Sequence, residues 1–169
     1  AEGSLEKIYL GKDCHIDWGN TLYCNAGRFI MKDHSTASVG FTAITGNHRG
    51  AVGEYQMGTN ENLESKDIVI GEDVWIGANV TLLAGANIGR GAIVGAGCVV
   101  PDKKIPSYSI VAGVPCKVVG RRFTYEEIIE HEKKLYPESQ RMSKEDIEIE
   151  LNSNVVKNEI NKITPPHSA

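Results

Sequence analysis

The sequence predicts an all-β fold: a solenoid of six-residue repeats that carries one long loop and ends in a helical extension. Three observations carry this reading. From Ile70 to Val99 the chain reads IGEDVW IGANVT LLAGAN IGRGAI VGAGCV, and each block opens on an aliphatic residue. The fourth residues, Asp73, Asn79, Gly85, Gly91 and Gly97, are of the types that accept a left-handed backbone most readily. The fifth residues, Val74, Val80, Ala86, Ala92 and Cys98, are all small. A period of six makes no stripe on a helix, and glycines at this spacing would break a continuous strand. Each block is therefore a short strand and a tight corner, with Ile70, Ile76, Leu82, Ile88 and Val94 pointing inward.

The same grammar runs nearer the N-terminus. Blocks open at Leu10, Ile16 and Leu22, with Asp13, Gly19 and Asn25 in fourth place. The phase then slips by three residues and resumes at Met31, Ala37 and Ala43, with His34, Gly40 and Gly46 at the corners. The first four residues, AEGS, read as a frayed end or an expression remnant. The repeat domain spans 5–120, and 46–67, rich in Gly, Asn and Glu and without a six-residue order, leaves it as a long loop. Beyond it, 121–169 forms a C-terminal helical extension and tail. Thr124-Tyr-Glu-Glu127 is a capping box that opens a helix to about Tyr136, with Ile128, Ile129 and Leu135 available for a buried side. A second, more polar helix starts at Ser143. These helices can cover an open end of the solenoid, or serve regulation or a partner.

Composition excludes several classes. A net charge of −4 with interspersed signs gives no nucleic-acid footprint. No signal pattern or membrane-spanning run occurs, so no membrane insertion is expected. Cys14, Cys24, Cys98 and Cys116 form no CxxC pair, and they read as reduced thiols of a cytoplasmic protein. Of the five histidines, His15 and His34 fall in regular repeat positions, His131 lies on the expected helix and His167 in the tail. His48 ends the block AITGNH, where the coil gives way to the loop. An imidazole on a rigid edge beside a flexible cover suits a general base.

The repeats, the loop-borne His48 and the run VWIGANV…IVGAGCVV…SIVAGVPCKVVG resemble the hexapeptide-repeat acyltransferases. The likeness is greatest to sugar O-acetyltransferases of the galactoside, maltose, capsule and lipopolysaccharide types, and xenobiotic acetyltransferases are similar too. It covers about 10–122. It implies a left-handed parallel β-helix, a homotrimer with sites between subunits, and acetyl-CoA as co-substrate with no metal required. His48 would take the proton from an acceptor hydroxyl, whose oxygen attacks the thioester directly. Tyr23-Cys-Asn25 is similar to the family's acceptor-binding Tyr-x-Asn segment, although Asn25 is equally a corner residue. For the donor, the resemblance implies Trp75 as a groove wall and Ala78 and Ala96 as small residues beside the pantetheine arm. Lys103, Lys104, Lys117, Arg121 and Arg122 would face the phosphates.

The departures bear on the acceptor. Thr45-Gly46-Asn47-His48 has one residue more than the Thr-Gly-His of the galactoside type, and no counterpart of the N-terminal helical segment of those enzymes is expected in this sequence. The expected function is acetyl-CoA-dependent O-acetyl transfer to a sugar or saccharide precursor in polysaccharide biosynthesis. N-acetylation of a nucleotide amino sugar and xenobiotic acetylation are the alternatives. A γ-carbonic-anhydrase-like metal enzyme would need histidines converging on zinc, and His48 has no partner at suitable spacing. A non-catalytic scaffold would bind no acetyl-CoA.

Overall fold

The computed structural model describes residues 2–3, 5–48, 50, 52–53, 55 and 63–152, with the backbone alone at 2, 3 and 63. Strand β1 (Glu2–Gly3) precedes coil 1, which holds β2 (Ile8–Leu10), β3 (His15–Ile16) and β4 (Thr21–Cys24). Coil 2 holds β5 (Phe29–Met31), β6 (Thr36–Ala37) and β7 (Thr42–Ile44). A hairpin of β8 (Gly46–His48) and β9 (Leu63–Ser65) follows. Coil 3 holds β10 (Ile68–Ile70), β11 (Trp75–Ile76) and β12 (Thr81–Leu82), and coil 4 holds β13 (Asn87–Ile88), β14 (Ile93–Val94) and β15 (Val99–Val100). A partial fifth coil, β16 (Lys104–Ile105) and β17 (Ser109–Ala112), is closed by β18 (Lys117–Arg121), which turns back antiparallel to β17. Helices α1 (Tyr125–Leu135) and α2 (Lys144–Asn152) end the described chain.

Corresponding strands stack in parallel into three sheets. Sheet A is β1-β4-β7-β12-β15, sheet B is β16-β13-β10-β5-β2, and sheet C is β18-β17-β14-β11-β6-β3. Ile70 pairs with Ile88, a step of 18 residues, so three hexads make one coil. The predicted inward residues from Ile70 to Val94 are all buried, as are the fifth-place residues from Val74 to Cys98. Buried Cys98 lies beside Cys116, and burial first, then that neighbour, pushes its thiol up to about 11. Leu10, expected to point inward, is 53 % exposed, because coil 1 has no complete coil beyond it.

The three corners are not equivalent. Between sheets B and C, the corner residues Asp13, His34, Asp73, Gly91 and Tyr108 all have positive φ. Between C and A the same holds for Gly19, Gly40, Asn79, Gly97 and Gly113. Between A and B, Gly85 does, as does Gly53 within the loop among the described residues, and the predicted left-handed positions Asn25 and Gly46 do not. The reason is that the chain leaves its period there. The three-residue slip follows Asn25, the hairpin starts at Gly46, and the step from Ile88 to Ile105 is only 17 residues. The chain start also differs from expectation, since β1 pairs Glu2 with Tyr23 and Gly3 with Cys24 as a member of sheet A.

The helices pack on the B/C corner of the solenoid. Thr124 and Glu127 form the predicted reciprocal cap. Ile128 and Ile147 are buried around Tyr108, but Leu135 is exposed and the buried third-turn residue of α1 is Glu132. Glu132 accepts from the Tyr108 hydroxyl (2.5 Å), the Met142 backbone N–H (3.0 Å) and Arg90 (2.9 Å). Arg90 also pairs with Glu72 (2.7 Å) and lies 4.1 Å from the Tyr136 ring centre. Burial, followed by the bonded Glu132 carboxylate, raises the Tyr108 phenol far above its usual range. A carboxylate in this position needs its cation, because an uncompensated buried charge costs several kcal/mol. Arg90→Met should therefore lower the unfolding free energy by about 3 kcal/mol in urea denaturation, with the solenoid strands still formed by circular dichroism.

Candidate active site

The hairpin β8–β9 is the one antiparallel ribbon that leaves the A/B corner among the described residues. Its register pairs Gly46 with Ser65, Asn47 with Glu64 and His48 with Leu63. His48 sits exposed at the outer end of β8. Its base is held from both sides of the coil. The Arg28 backbone N–H donates to Asp67 Oδ1 (2.8 Å) and Arg28 Nε to Oδ2 (2.9 Å). The Ile68 N–H in turn donates to the Arg28 carbonyl (2.8 Å). A Cβ on Gly27 would stand 2.3 Å from the Lys66 carbonyl oxygen, so only glycine allows the returning chain so close. The three-residue slip supplies Gly27 and Arg28 at this corner, and the loop returns onto them. Lys66 continues the brace to Asp102, two coils further on, across Gly85.

Asn25 belongs to the same corner. Its Oδ1 is buried without a hydrogen-bond partner among the described residues, and a Cβ on Gly46 would lie 2.7 Å from it. Lys7 Nζ holds the adjacent backbone by donating to the carbonyls of Asn25 (3.1 Å) and Ala26 (2.9 Å). The structure thus brings Asn25 against the root of the strand that carries His48, two residues before the imidazole.

The candidate donor residues lie elsewhere on the prism. Trp75 stands outward from sheet C, 52 % exposed, with its indole N–H donating to Ser38 Oγ (3.4 Å). Ala78 and Ala96 occupy the C/A corner in successive coils, joined by the Gly97 N–H bond to the Ala78 carbonyl (2.8 Å). A Cβ at Gly97 would meet nothing within 4 Å, so the edge is open at coil 4, whereas at Gly40 the Asn79 side chain covers it. Lys117 begins β18 opposite Ala112, at the far end of the same corner. Within one chain, His48 and this line are on different corners.

The five candidate cations separate by partner. Arg122 is committed to the solenoid, donating to Asp73 Oδ2 (2.7 Å) and to the carbonyls of Asp73 (3.2 Å) and Gly91 (3.3 Å). His131 Nε2 meets the same Asp73 carboxylate at 3.1 Å. Lys104 pairs with Glu150, and Arg121 donates to the Leu151 carbonyl, both on α2. These three hold the helical extension. Lys103 and Lys117 form no ion pair with other described residues. Sequence reasoning missed this division because the acidic partners lie 46 and 49 positions away. It also missed Lys7, Arg28 and Asp67, for which the three-residue slip was the signal. Among the described residues no cluster of His, Cys, Asp or Glu could hold a metal ion, and no helix is long and apolar enough to cross a membrane.

A family profile described as "Bacterial transferase hexapeptide (six repeats)" matches residues 67–102. A comparison with curated proteins returns no match. Among solved structures, the chain is similar to a maltose O-acetyltransferase from Clostridium difficile 630, with 21 % identity over 70 % of this chain and 72 % of that one, TM-score 0.55. It is similar to a variant of an N-acyltransferase from Bacillus cereus in complex with dTDP and coenzyme A, with 24 % identity over 75 % and 69 %, TM-score 0.63. A hexapeptide-repeat acetyltransferase from Vibrio cholerae O1 biovar eltor, complexed with acetyl coenzyme A, matches at 25 % identity over 70 % and 62 %, TM-score 0.62.

The Arg28–Asp67 clamp predicts a local effect. Arg28→Ala should speed amide exchange at 46–48 and 63–65 several-fold, up to about tenfold, and leave coils 3 and 4 protected. Arg28's side-chain bond, then its backbone N–H, holds the Asp67 carboxyl below its usual range. A lowered folded pKa means the clamp is fully present above the ordinary aspartate value of about 3.9 and is lost as pH falls through the lower folded one. Hairpin protection in the parent protein should therefore persist from neutral pH down to about 4 and fall only below it.

Proposed function

We propose that this chain, which carries the bacterial transferase hexapeptide repeat and the β-helical fold of the hexapeptide-repeat acyltransferases, is an acetyl-CoA-dependent O-acetyltransferase acting on a saccharide hydroxyl. The observation that carries the reading is His48, exposed on a hairpin rooted by Asn25, Gly27 and Arg28 at the irregular corner. The C/A corner fits an extended donor. Its small residues leave backbone accessible at Ala78, Ala96 and Gly97, and Lys117 stands at one end without an ion-pair partner among the described residues.

In this reading His48 accepts the proton of the acceptor hydroxyl as that oxygen attacks the thioester carbonyl. A backbone N–H of the open corner stabilises the oxyanion, and the coenzyme A thiol leaves. No acyl-enzyme is formed. Because His48 and the C/A line sit on different corners, a complete site takes His48 from one chain and the donor line from a neighbour, within the trimer that the family likeness implies. N-acylation of a nucleotide amino sugar is the second reading, favoured by the higher TM-score of the dTDP-bound N-acyltransferase.

Acetyl-CoA hydrolysis and transfer, followed by thiol release against hydroxyl and amino acceptors, tests both readings. His48→Ala should reduce turnover by about 10²–10⁴-fold with acetyl-CoA affinity nearly intact, while Lys117→Ala should chiefly weaken acetyl-CoA binding. Co-refolding the two variants should restore part of the activity, because mixed oligomers regain sites with both groups. Full activity in His48→Ala would overturn the mechanism, and no recovery on mixing would place each site within one chain.

A further inference from the structure

The chain has two tryptophans, and both are exposed on the side of the solenoid that holds the donor line. Trp75 stands on the face of sheet C beside that line, with its indole N–H bonded to Ser38. Trp18 lies at the C/A corner of coil 1 with 81 % of its surface exposed. Its carbonyl accepts from the Gly40 N–H (3.4 Å), so the backbone beneath the indole is tied to coil 2. An indole this exposed on a rigid corner is a large apolar platform with nothing described upon it.

Polar groups stand beside it. His15 and Asp17 point outward on either side of inward Ile16, and His15 Nε2 meets Asp17 Oδ1 at 2.8 Å. Register places His15 in line with Thr36 and then Trp75 on sheet C. The Asp17 N–H bonds the Ala37 carbonyl (2.9 Å), one coil from Ser38, whose hydroxyl receives the Trp75 indole N–H. Asp17 precedes Trp18 in the chain, and His15, Thr36 and Ser38 lie on the sheet C face that leads into this corner. An exposed indole and a set of hydrogen-bonding groups thus share one end of the solenoid, a combination that suits a sugar ring. The C–H face of a pyranose stacks on indole, and its hydroxyls donate to the carboxylate and to the imidazole nitrogen that Asp17 leaves free.

The position is as informative as the chemistry. Lys117, Ala96, Ala78 and Trp18 mark one corner from end to end. Coils are spaced by about 4.8 Å, so coil 5 lies roughly 14 Å from coil 2. A donor anchored by its phosphates at Lys117 and lying along this edge presents its acyl end toward coils 1 and 2. The acceptor must approach that end.

We propose that Trp18, with the His15–Asp17 pair, is the subsite that holds the saccharide acceptor. The inference rests on the acyltransferase reading for its geometry, but not for the binding itself. The protein should be probed on an array of neutral, amino and acidic saccharides, and the strongest binder then titrated calorimetrically, with acetyl-CoA titrated separately. Trp18→Ala should weaken saccharide binding by about tenfold or more, and Asp17→Asn several-fold. Both variants should keep acetyl-CoA affinity, and Trp18→Phe should retain most of the binding. Saccharide binding that survives Trp18→Ala overturns the proposal, as does acetyl-CoA binding with no saccharide bound. A smaller sedimenting species for Trp18→Ala also overturns it, because the indole would then be a contact between chains. Saccharide binding through Trp18 without any acetyl-CoA binding would uphold the subsite and sink the acyltransferase reading instead.

Discussion

Every coil must bring its backbone back into hydrogen-bonding register with the coil before it, and the remaining structure depends on that closure. The bonds of the solenoid run between coils, as from Thr36 N–H to the Val74 carbonyl (2.8 Å) and from Trp75 N–H to the Ala92 carbonyl (3.1 Å). A strand of two or three residues cannot turn through a third of a circle unless the corner is abrupt. The left-handed backbone at Asp73, Asn79 or Gly91 supplies the turn. Once the corners are set, alternation does the rest. Inward Ile70, Ile76 and Leu82 fill the prism and their neighbours face out. The outward residues are then free to differ, so one scaffold can carry Trp75 on one face and the ion pairs of Glu72 and Asp73 with Arg90 and Arg122 at another corner.

That division explains what could be read from the chain. Period, corners and core were legible because each coil repeats the same physical demand, and ten of the corner residues on two of the edges obey it. Thr124 and Glu127 were legible because a capping box is local. The burial of Glu132 in place of Leu135 was not, since it depends on Arg90 and Tyr108 at a distant corner. Nor was the commitment of Lys104, Arg121 and Arg122 to Glu150, Leu151 and Asp73. A basic residue near a predicted phosphate site looks alike in sequence whether it is free or paired. Only the fold decides, by placing an acceptor 30 or more positions away beside it.

The irregular corner concentrates what the repeat cannot supply. The slip after Asn25, the hairpin at Gly46 and the shortened coil ending in Lys103 all fall between sheets A and B. Elsewhere a departure from the period would leave strand ends unpaired through the stack. At this corner the departures compensate one another. Gly27 and Arg28 receive the returning loop, and Asp102 on the shortened turn receives Lys66. These ion pairs are exposed and contribute little to global stability. Their consequence is positional, because they set the root of the strand that ends in His48.

The regular C/A corner does the opposite work. Ala78, Ala96 and Gly97 keep the edge small in coils 3 and 4, Asn79 reaches back over Gly40, and the large side chains Trp18 and Lys117 stand at the two ends. A uniform edge can hold an extended ligand along its length but cannot by itself choose a second one. Discrimination has to come from the ends, where the stack stops and larger side chains have room. The two corners are therefore complementary. One is lined by small residues in coils 3 and 4, and the other is interrupted and braced around the strand that ends in His48. In the proposed reading a neighbouring copy of the chain brings the two corners together. The separation of His48 from Ala78 and Ala96 within one chain is the observation behind that reading.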